Sequence, residues 1–280
     1  MPSPQPVLPC LSLQLEQSDT APHPSPGRTS SCLRITRSTP WRPAILPRHC
    51  QNCSVLGIPT FCAVSPNVLR DFDSIGSCRQ RESHAVLFHE GLPADYLLII
   101  CAGRVKVTAS SSNGRLFLLR VAGPGDILGL ATLHAKTAHL VTAETLSDCT
   151  IKTIPRADFI RVMKTNPDVS LITALAISRE YQSAFLSARR LALHTSAAGK
   201  LASTLLDWAR TDHGTNCPTP ANIPISFHMQ LNQEELGSMA GLSRETVSRI
   251  LARFRREGLV DQSDDRITLN NPGRLEARYR

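Results

Sequence analysis

Short apolar runs alternate with polar turn residues over residues 85–154. Segments such as YLLII, RLFLLRVA and CTIKTIP are separated by single glycines, by SSNG and by GPGD. Strand-length apolar runs with turn residues at such intervals are typical of a small antiparallel β-barrel or sandwich. The pair Asn113 and Gly114 lies between two of these runs and predicts a hairpin, because its tight turn needs a positive φ.

The hydrophobic period becomes helical after Pro155. A stretch without Gly or Pro from residue 169 to about residue 194 follows Pro167 and Asp168, which predicts one long helix. Such a helix would be about 39 Å long, more than a barrel of this size can cover, so we expect one face to pair with a second copy and only part of it to pack on the β-domain. The predicted dimer seam, spaced alternately by three and four residues, consists of Ala174, Ile177, Tyr181, Ala184, Ala188 and Leu191.

The segment LNQEELGSMAGLSRETVSRILARFRREGLV predicts a helix-turn-helix. Asn232 followed by Glu235 is a helix-opening signature, and Gly241 permits a tight turn between the two helices. Ser243 caps the second helix, which Gly258 ends. The following LVDQSDDRITLNN predicts two short strands around a polar turn, as in a wing.

The first turns of the second helix carry side chains suited to reading base pairs. In a helix-turn-helix this end of the second helix enters the major groove. Arg can donate two hydrogen bonds to guanine and Glu can accept one from cytosine. The predicted DNA-binding residues are Arg244, Glu245, Ser248 and Arg249.

Composition and charge predict the character of the remaining parts of the chain. The 280 residues are 41% hydrophobic and carry a formal net charge of +8, which favours anionic partners. Residues 1–47 are rich in Pro, Ser and Arg without any period, and predict a disordered tail. No apolar stretch is long enough to span a membrane, so we expect a cytoplasmic protein. Its nine cysteines are then expected to be reduced, and their odd number also argues against complete disulfide pairing.

The motif GLSRETVSRIL and the order of β-domain, long helix and winged helix-turn-helix resemble the Crp/Fnr family of bacterial transcription regulators, over about residues 50–270. The resemblance implies an α+β chain with a cyclic-nucleotide-binding-like β-roll at 48–165, a dimerisation helix at 166–195 and a DNA-binding domain at 196–280. It also implies a homodimer on a near-palindromic operator that contacts RNA polymerase. Glu245 would read cytosine, and Arg249 would contact guanine and phosphate. Ser248 matches the oxygen-sensing branch and Arg244 the cyclic-AMP branch, so the half-site stays open between TTGAT-like and TGTGA-like sequences.

The family's cyclic-nucleotide cassette is incomplete in this chain. Leu130 stands where the family has a Glu for the ribose, and TAH at residues 137–139 lacks the Arg-Ser pair for the phosphate. Because a phosphate needs a cation and a hydroxyl to hold it, we do not expect cyclic AMP to bind.

The cysteines suggest a different cofactor. HCQNC resembles the segment with which the oxygen-sensing branch holds a [4Fe–4S] cluster, and AETLSDCTI resembles its internal ligand segment. The family's third position falls at Pro59, three residues before the available thiol. The resemblance therefore implies a cluster whose ligands would be Cys50, Cys53, Cys62 and Cys149. Structural zinc, a thiol redox switch and no ligand role remain as alternatives.

A cupin-type metalloenzyme is a more remote alternative, because the β-domain contains four histidines. The pairs His84 with His89 and His134 with His139 are each five residues apart, whereas a cupin needs two histidines two apart with a nearby Glu. The sequence also has no paired carboxylates, nucleophile elbow or phosphate loop. We therefore expect a regulator and not an enzyme.

Overall fold

The computed structural model describes residues 71–72, 74–133, 138–193, 196–212, 222–263 and 265–279. The predicted tail at 1–47 lies outside these residues. So do Cys50, Cys53, Cys62 and His134.

In the described part of this domain, eight strands form two antiparallel sheets, which confirms the predicted β-roll. One sheet has the order β1-β8-β3-β6 and the other the order β2-β7-β4-β5, so β5 lies at an edge. The strands are β1 (Ser77–Arg81), β2 (Val86–Phe88), β3 (Tyr96–Ala102), β4 (Val105–Ser110), β5 (Leu116–Ala122), β6 (Ile127–Leu128), β7 (Thr142–Thr145) and β8 (Cys149–Pro155).

The apolar run of β3 is buried on both faces. Leu98 and Ile100 pack into the core between the sheets, whereas Leu97 and Ile99 pack with Phe159 on the outer side of the sheet. Alternate residues of a strand point to opposite faces, which is why a strand covered on both sides is apolar throughout.

The predicted hairpin joins β4 to β5. Ser110 pairs with Leu116, and Gly114 N donates to Ser111 O at 2.9 Å. Of the two turn residues, Gly114 alone has positive φ, at +77°. The glycine therefore supplies the conformation that the turn needs.

Among the described residues, the roll is followed by the helices α1 (Arg156–Thr165), α2 (Pro167–Leu193) and α3 (Ala197–Asp212). The 27 residues of α2 confirm the predicted long helix. Leu201, Leu205 and Trp208 of α3 are buried.

The C-terminal part is a winged helix-turn-helix, as predicted. It contains β9 (Ile225–His228), α4 (Gln233–Ala240), α5 (Arg244–Arg256), β10 (Val260–Ser263), β11 (Arg266–Leu269) and α6 (Pro272–Tyr279). The wing sheet has the order β10-β11-β9. Strand β9 and helix α6 were not expected from the sequence.

Local hydrogen bonds fix the ends of the two central helices. Asn232 Oδ1 accepts from Glu235 N at 2.9 Å, and Glu235 Oε2 accepts from Asn232 N at 3.1 Å, which confirms the predicted helix opening. Gly241 has a φ of +68° in the turn, and Ser243 Oγ accepts from Thr246 N at 3.2 Å.

Within the described part of the chain, no helix is both long and apolar enough to cross a membrane.

Candidate nucleic-acid interface

Helix α5 has one buried face and one exposed face. Val247, Ile250, Leu251 and Phe254 are buried in the core of the C-terminal domain. Burial of these four side chains fixes the rotation of the helix about its axis. The polar side chains on the other side of its first turns therefore point away from the protein.

The four predicted DNA-binding residues all lie on this exposed side. Arg244 and Glu245 are in the first turn, and Ser248 and Arg249 follow one turn later. Among the described residues, none of the four has a hydrogen bond or ion pair to another side chain. Their donors and acceptors are free to bind an external partner.

The arginines at the other end of α5 are in a different environment. Arg253 Nε donates to Glu257 Oε1 at 3.0 Å, and its guanidinium lies 5.3 Å from the centre of the Tyr279 ring. Tyr279 also donates its hydroxyl to Glu257 Oε2 at 2.7 Å. Hydrogen bonds from Tyr279 and Arg253, together with the charge of Arg278, hold the pKa of Glu257 below its ordinary value. Arg253 thus fastens α6 to the domain, a role that the sequence did not indicate.

A polar group on the wing was missed by sequence reasoning. Arg266 Nη2 donates to His228 Nε2 at 2.9 Å, which requires a neutral imidazole with its proton on Nδ1. Nδ1 then donates to Asp265 Oδ2 at 3.0 Å, and this bond lowers the pKa of Asp265. The three residues orient an exposed guanidinium on the wing. No local sequence motif marks these residues. They meet because the register of β9 and β11 sets Arg266 opposite His228.

The predicted dimer seam lies along α2. Five of its six residues are exposed, and Tyr181 is 69% exposed. Leu191 departs from this pattern: it is half-buried, and a Cβ placed on Gly241 would approach its Cδ2 to 2.9 Å. Phe185, which the predicted seam omitted, is also exposed and stacks beside Tyr181 with ring centroids 6.3 Å apart. The opposite face of α2 is buried against the same chain at Val169, Thr173, Ser187 and Arg190.

Cys149 is buried in the roll core. It is 3% exposed, and its Sγ lies 3.2 Å from Ser147 O and 3.4 Å from Arg104 O, both hydrogen-bond acceptors. Burial raises the pKa of this thiol. A cluster ligand must be a thiolate, and binding of iron would itself deprotonate the thiol. The predicted ligand role of Cys149 therefore stays a prediction. The described residues contain no group of three or more His, Cys, Asp or Glu that could hold a metal ion.

The positions matching the cyclic-nucleotide cassette are apolar or neutral where they are described. Leu130 is buried with the outer core of the roll. His139 is buried, stacks on Phe88 with ring centroids 3.9 Å apart, and has a pKa lowered by burial. Among the other candidate metal-binding histidines, His84 is exposed beside Glu144.

A β-roll followed by a long helix and a winged helix-turn-helix defines a DNA-binding protein with a sensor domain. The profile of the Crp-like helix-turn-helix domain matches residues 199–278, and that of the cyclic nucleotide-binding domain matches residues 78–166.

Known proteins with similar sequences or folds are transcription regulators. A probable transcriptional regulator, flp, of Lacticaseibacillus casei is 30% identical over 219 residues, which cover 78% of this chain and 94% of that protein. The cAMP-activated global transcriptional regulator CRP of Pasteurella multocida is 28% identical over 180 residues, covering 64% of this chain and 82% of that one. The c-di-GMP responsive global regulator CLP of Xanthomonas campestris has a similar fold, with a TM-score of 0.62 at 20% identity, over 74% of this chain and 100% of that structure.

The chain belongs to the Crp/Fnr family of transcriptional regulators. It is a DNA-binding regulator with an effector-type domain and not an enzyme, so the alternative of a cupin-type metalloenzyme is wrong.

Proposed function

We propose that this regulator binds a near-palindromic operator as a homodimer, with the first turns of α5 in the major groove. The observation that carries the proposal is the free, exposed set Arg244, Glu245, Ser248 and Arg249 on a helix whose other face is fixed in a core. Arg249 would donate to guanine or phosphate, and Glu245 would accept from cytosine. Arg266 on the wing would add a contact to the phosphate backbone.

The exposed apolar face of α2 supports the homodimer. Isolated apolar side chains on a surface are ordinary, but a continuous row along one helix is typical of an interface. Ile177, Tyr181 and Phe185 are such a row, and burial against a second α2 would remove them from water. A two-fold dimer would then present two α5 helices to two half-sites.

The signal received by the roll is a further part of the proposal. The buried Leu130 and neutral His139 offer no cation for a cyclic phosphate, which supports a roll that does not respond to cyclic AMP. The position of Cys149 favours a regulator without a [4Fe–4S] cluster ligated through that thiol, and so favours a small ligand or thiol chemistry as the signal. The predicted ligands Cys50, Cys53 and Cys62 lie outside the described residues.

Contact with RNA polymerase completes the proposal. It rests on membership in a family of transcription regulators.

The test of the reading helix is the variant Arg249→Ala in a DNA-binding titration on a selected operator. Loss of a base-reading guanidinium is expected to cost about 1–3 kcal/mol, or about 5- to 150-fold in affinity, and to relax specificity at one base pair. Arg255→Ala is the matched control, because Arg255 is exposed on the same helix at the end away from the groove. Equal losses in both variants, or none in Arg249→Ala, would contradict the assignment.

A further inference from the structure

The first helix of the helix-turn-helix lies against the edge of the effector roll. Among the described strands, β5 is the last in its sheet, so one side of it has no strand partner. Ser238 of α4 occupies that side: its hydroxyl donates to Leu116 O at 2.7 Å and accepts from Leu118 N at 3.0 Å. One hydroxyl thereby satisfies a backbone acceptor and a backbone donor that a further strand would otherwise pair.

An ion pair joins α4 to the neighbouring strand β4. Lys106 Nζ on β4 lies 3.2 Å from Glu235 Oε1 on α4 and 2.9 Å from Glu144 Oε1 on β7. The lysine side chain is only 16% exposed. Burial alone would lower the pKa of Lys106, but the hydrogen bonds and charges of the two carboxylates together raise it, so the ammonium stays charged. Glu235 also closes the capping box of α4, so one carboxylate fixes both the start of the helix and its position on the roll.

An apolar contact accompanies these polar ones. Leu118 belongs to the roll by its backbone, but its side chain is 1% exposed and packs in the core of the DNA-binding domain. Val121 of the same strand and Leu146 pack against that core as well. The two domains therefore share a hydrophobic contact at β5.

Helix α2 contacts both β5 of the roll and α4 of the DNA-binding domain. Its Glu180 accepts from Arg120 Nη2 of β5 at 2.9 Å, and its Arg190 donates through Nη2 to Met239 O of α4 at 3.2 Å. Strand β5 can therefore act on the DNA-binding domain by two routes, one through α2 and one directly through α4.

We infer that Ser238, Glu235, Lys106 and Leu118 form a clasp, the β5 clasp, by which the effector roll holds α4 directly and so sets the orientation of α5. A signal that shifts β4 or β5 would break or re-form these contacts directly, in addition to any effect that it has through α2. Packed interfaces of this kind change between discrete arrangements, so a small shift of the strand edge can become a rotation of a domain. The clasp goes beyond the proposed DNA binding, because it concerns how the two domains of one chain are held together.

Hydrogen exchange measured by mass spectrometry on the full-length protein without DNA tests the clasp. In Ser238→Ala, peptides covering β5 and α4 are expected to exchange about tenfold faster, and to do so together, because the local opening of both elements loses a shared contact. Peptides from the wing strands should be unchanged. Ser263→Ala is the control, because Ser263 is an exposed serine of the same domain. Faster exchange confined to β5, with α4 unchanged, would overturn the inference.

A second pair of variants covers the case in which Ser238→Ala unfolds the domain. Lys106→Met and Glu235→Gln each remove the ion pair, while Gln can still cap α4. Their effects on α4 exchange are expected to be non-additive, since both remove the same contact. Strict additivity, or no change in α4, would contradict the clasp. No DNA is present in either experiment, so failure of the clasp is distinguishable from failure of the proposed operator binding.

Discussion

The thiol of Cys149 lies in the roll core, where burial raises its pKa and its short polar contacts include two carbonyl oxygens. A raised pKa keeps the thiol protonated at neutral pH as long as no metal is bound to it. The close packing of Gly103 leaves little room around it, because a Cβ on that glycine would approach Sγ to 2.5 Å. At the scale of this residue, we propose that Cys149 is a packed core thiol and not a ligand.

Iron and acid-labile sulfide measured after purification without oxygen test this reading. If Cys149 is a core thiol and not a ligand, the iron content per chain is the same in the wild type and in Cys149→Ala. Cys101→Ala serves as the control for a second thiol of the roll. About four irons per chain in the wild type, lost in Cys149→Ala but kept in Cys101→Ala, would instead restore Cys149 as a cluster ligand.

At the scale of the element, α2 has two faces with different partners. One face holds Glu180, Ser187 and Arg190, which contact β5, α3 and α4 of the same chain. The other carries exposed Ile177 and Tyr181. A helix with one polar face used internally and one apolar face left uncovered is expected to bury the second face in an assembly.

Tyr181→Glu is expected to weaken the dimer at least about tenfold, because an unpaired carboxylate in an apolar seam is costly to desolvate. Tyr181 is mostly exposed in the single chain, so the fold should survive the change. Sedimentation of the full-length protein over a range of concentrations gives the dissociation constant. Gln182→Glu adds the same charge at the next position, which is also exposed, and should leave the dissociation constant of the dimer unchanged. Equal dissociation constants for the two variants would contradict the predicted dimer seam.

At the scale of the whole molecule, an acid–base group lies between the roll and the long helix. Glu180 of α2 accepts from Arg120 of β5, which also bonds Asp126 at 3.3 Å. Burial raises the pKa of Glu180 above its ordinary 4.5, although Arg120 opposes the shift. The folded chain therefore binds a proton at this site more readily than the unfolded chain does.

Glu180→Gln is consequently expected to increase the free energy of unfolding at pH 7, where the wild type must bury a charge. The difference from the wild type should shrink as the pH falls through the raised pKa, because the wild-type carboxyl then also becomes neutral. Urea unfolding at pH 7 and at about pH 4.5 measures both values. Glu82→Gln, at an exposed position, should show neither effect. A Glu180→Gln protein less stable at both pH values would mean that the ion pair with Arg120 dominates.

The elements that could be predicted depend on signals close together in the chain. The capping box of Asn232 and Glu235, the turn at Gly241 and the length of α2 each rest on residues that are neighbours in sequence, and each is present in the structure. The exposed side of α5 follows in the same way from the spacing of its buried residues.

What the sequence could not reveal depends on distant partners. Ser238 donates a hydrogen bond to a strand edge 122 residues away in the sequence. Tyr279 contacts Arg253 from α6, a helix that no sequence motif predicted. Leu191 fits the seam by its spacing, yet it packs near Gly241 because the helix-turn-helix folds back on the end of α2. Such contacts depend on how the domains meet, which no local pattern encodes.

The covered edge of β5 has a consequence for how the protein behaves when its domains separate. A strand with free backbone groups along one side is a template for pairing with another chain, and it promotes aggregation. In the clasped molecule Ser238 blocks that side at Leu116 and Leu118. Any state in which α4 leaves the roll would expose the unpaired edge of β5. Prolonged opening therefore carries a risk of aggregation, and this risk would be smaller if the opening is brief or if DNA binds the open state promptly.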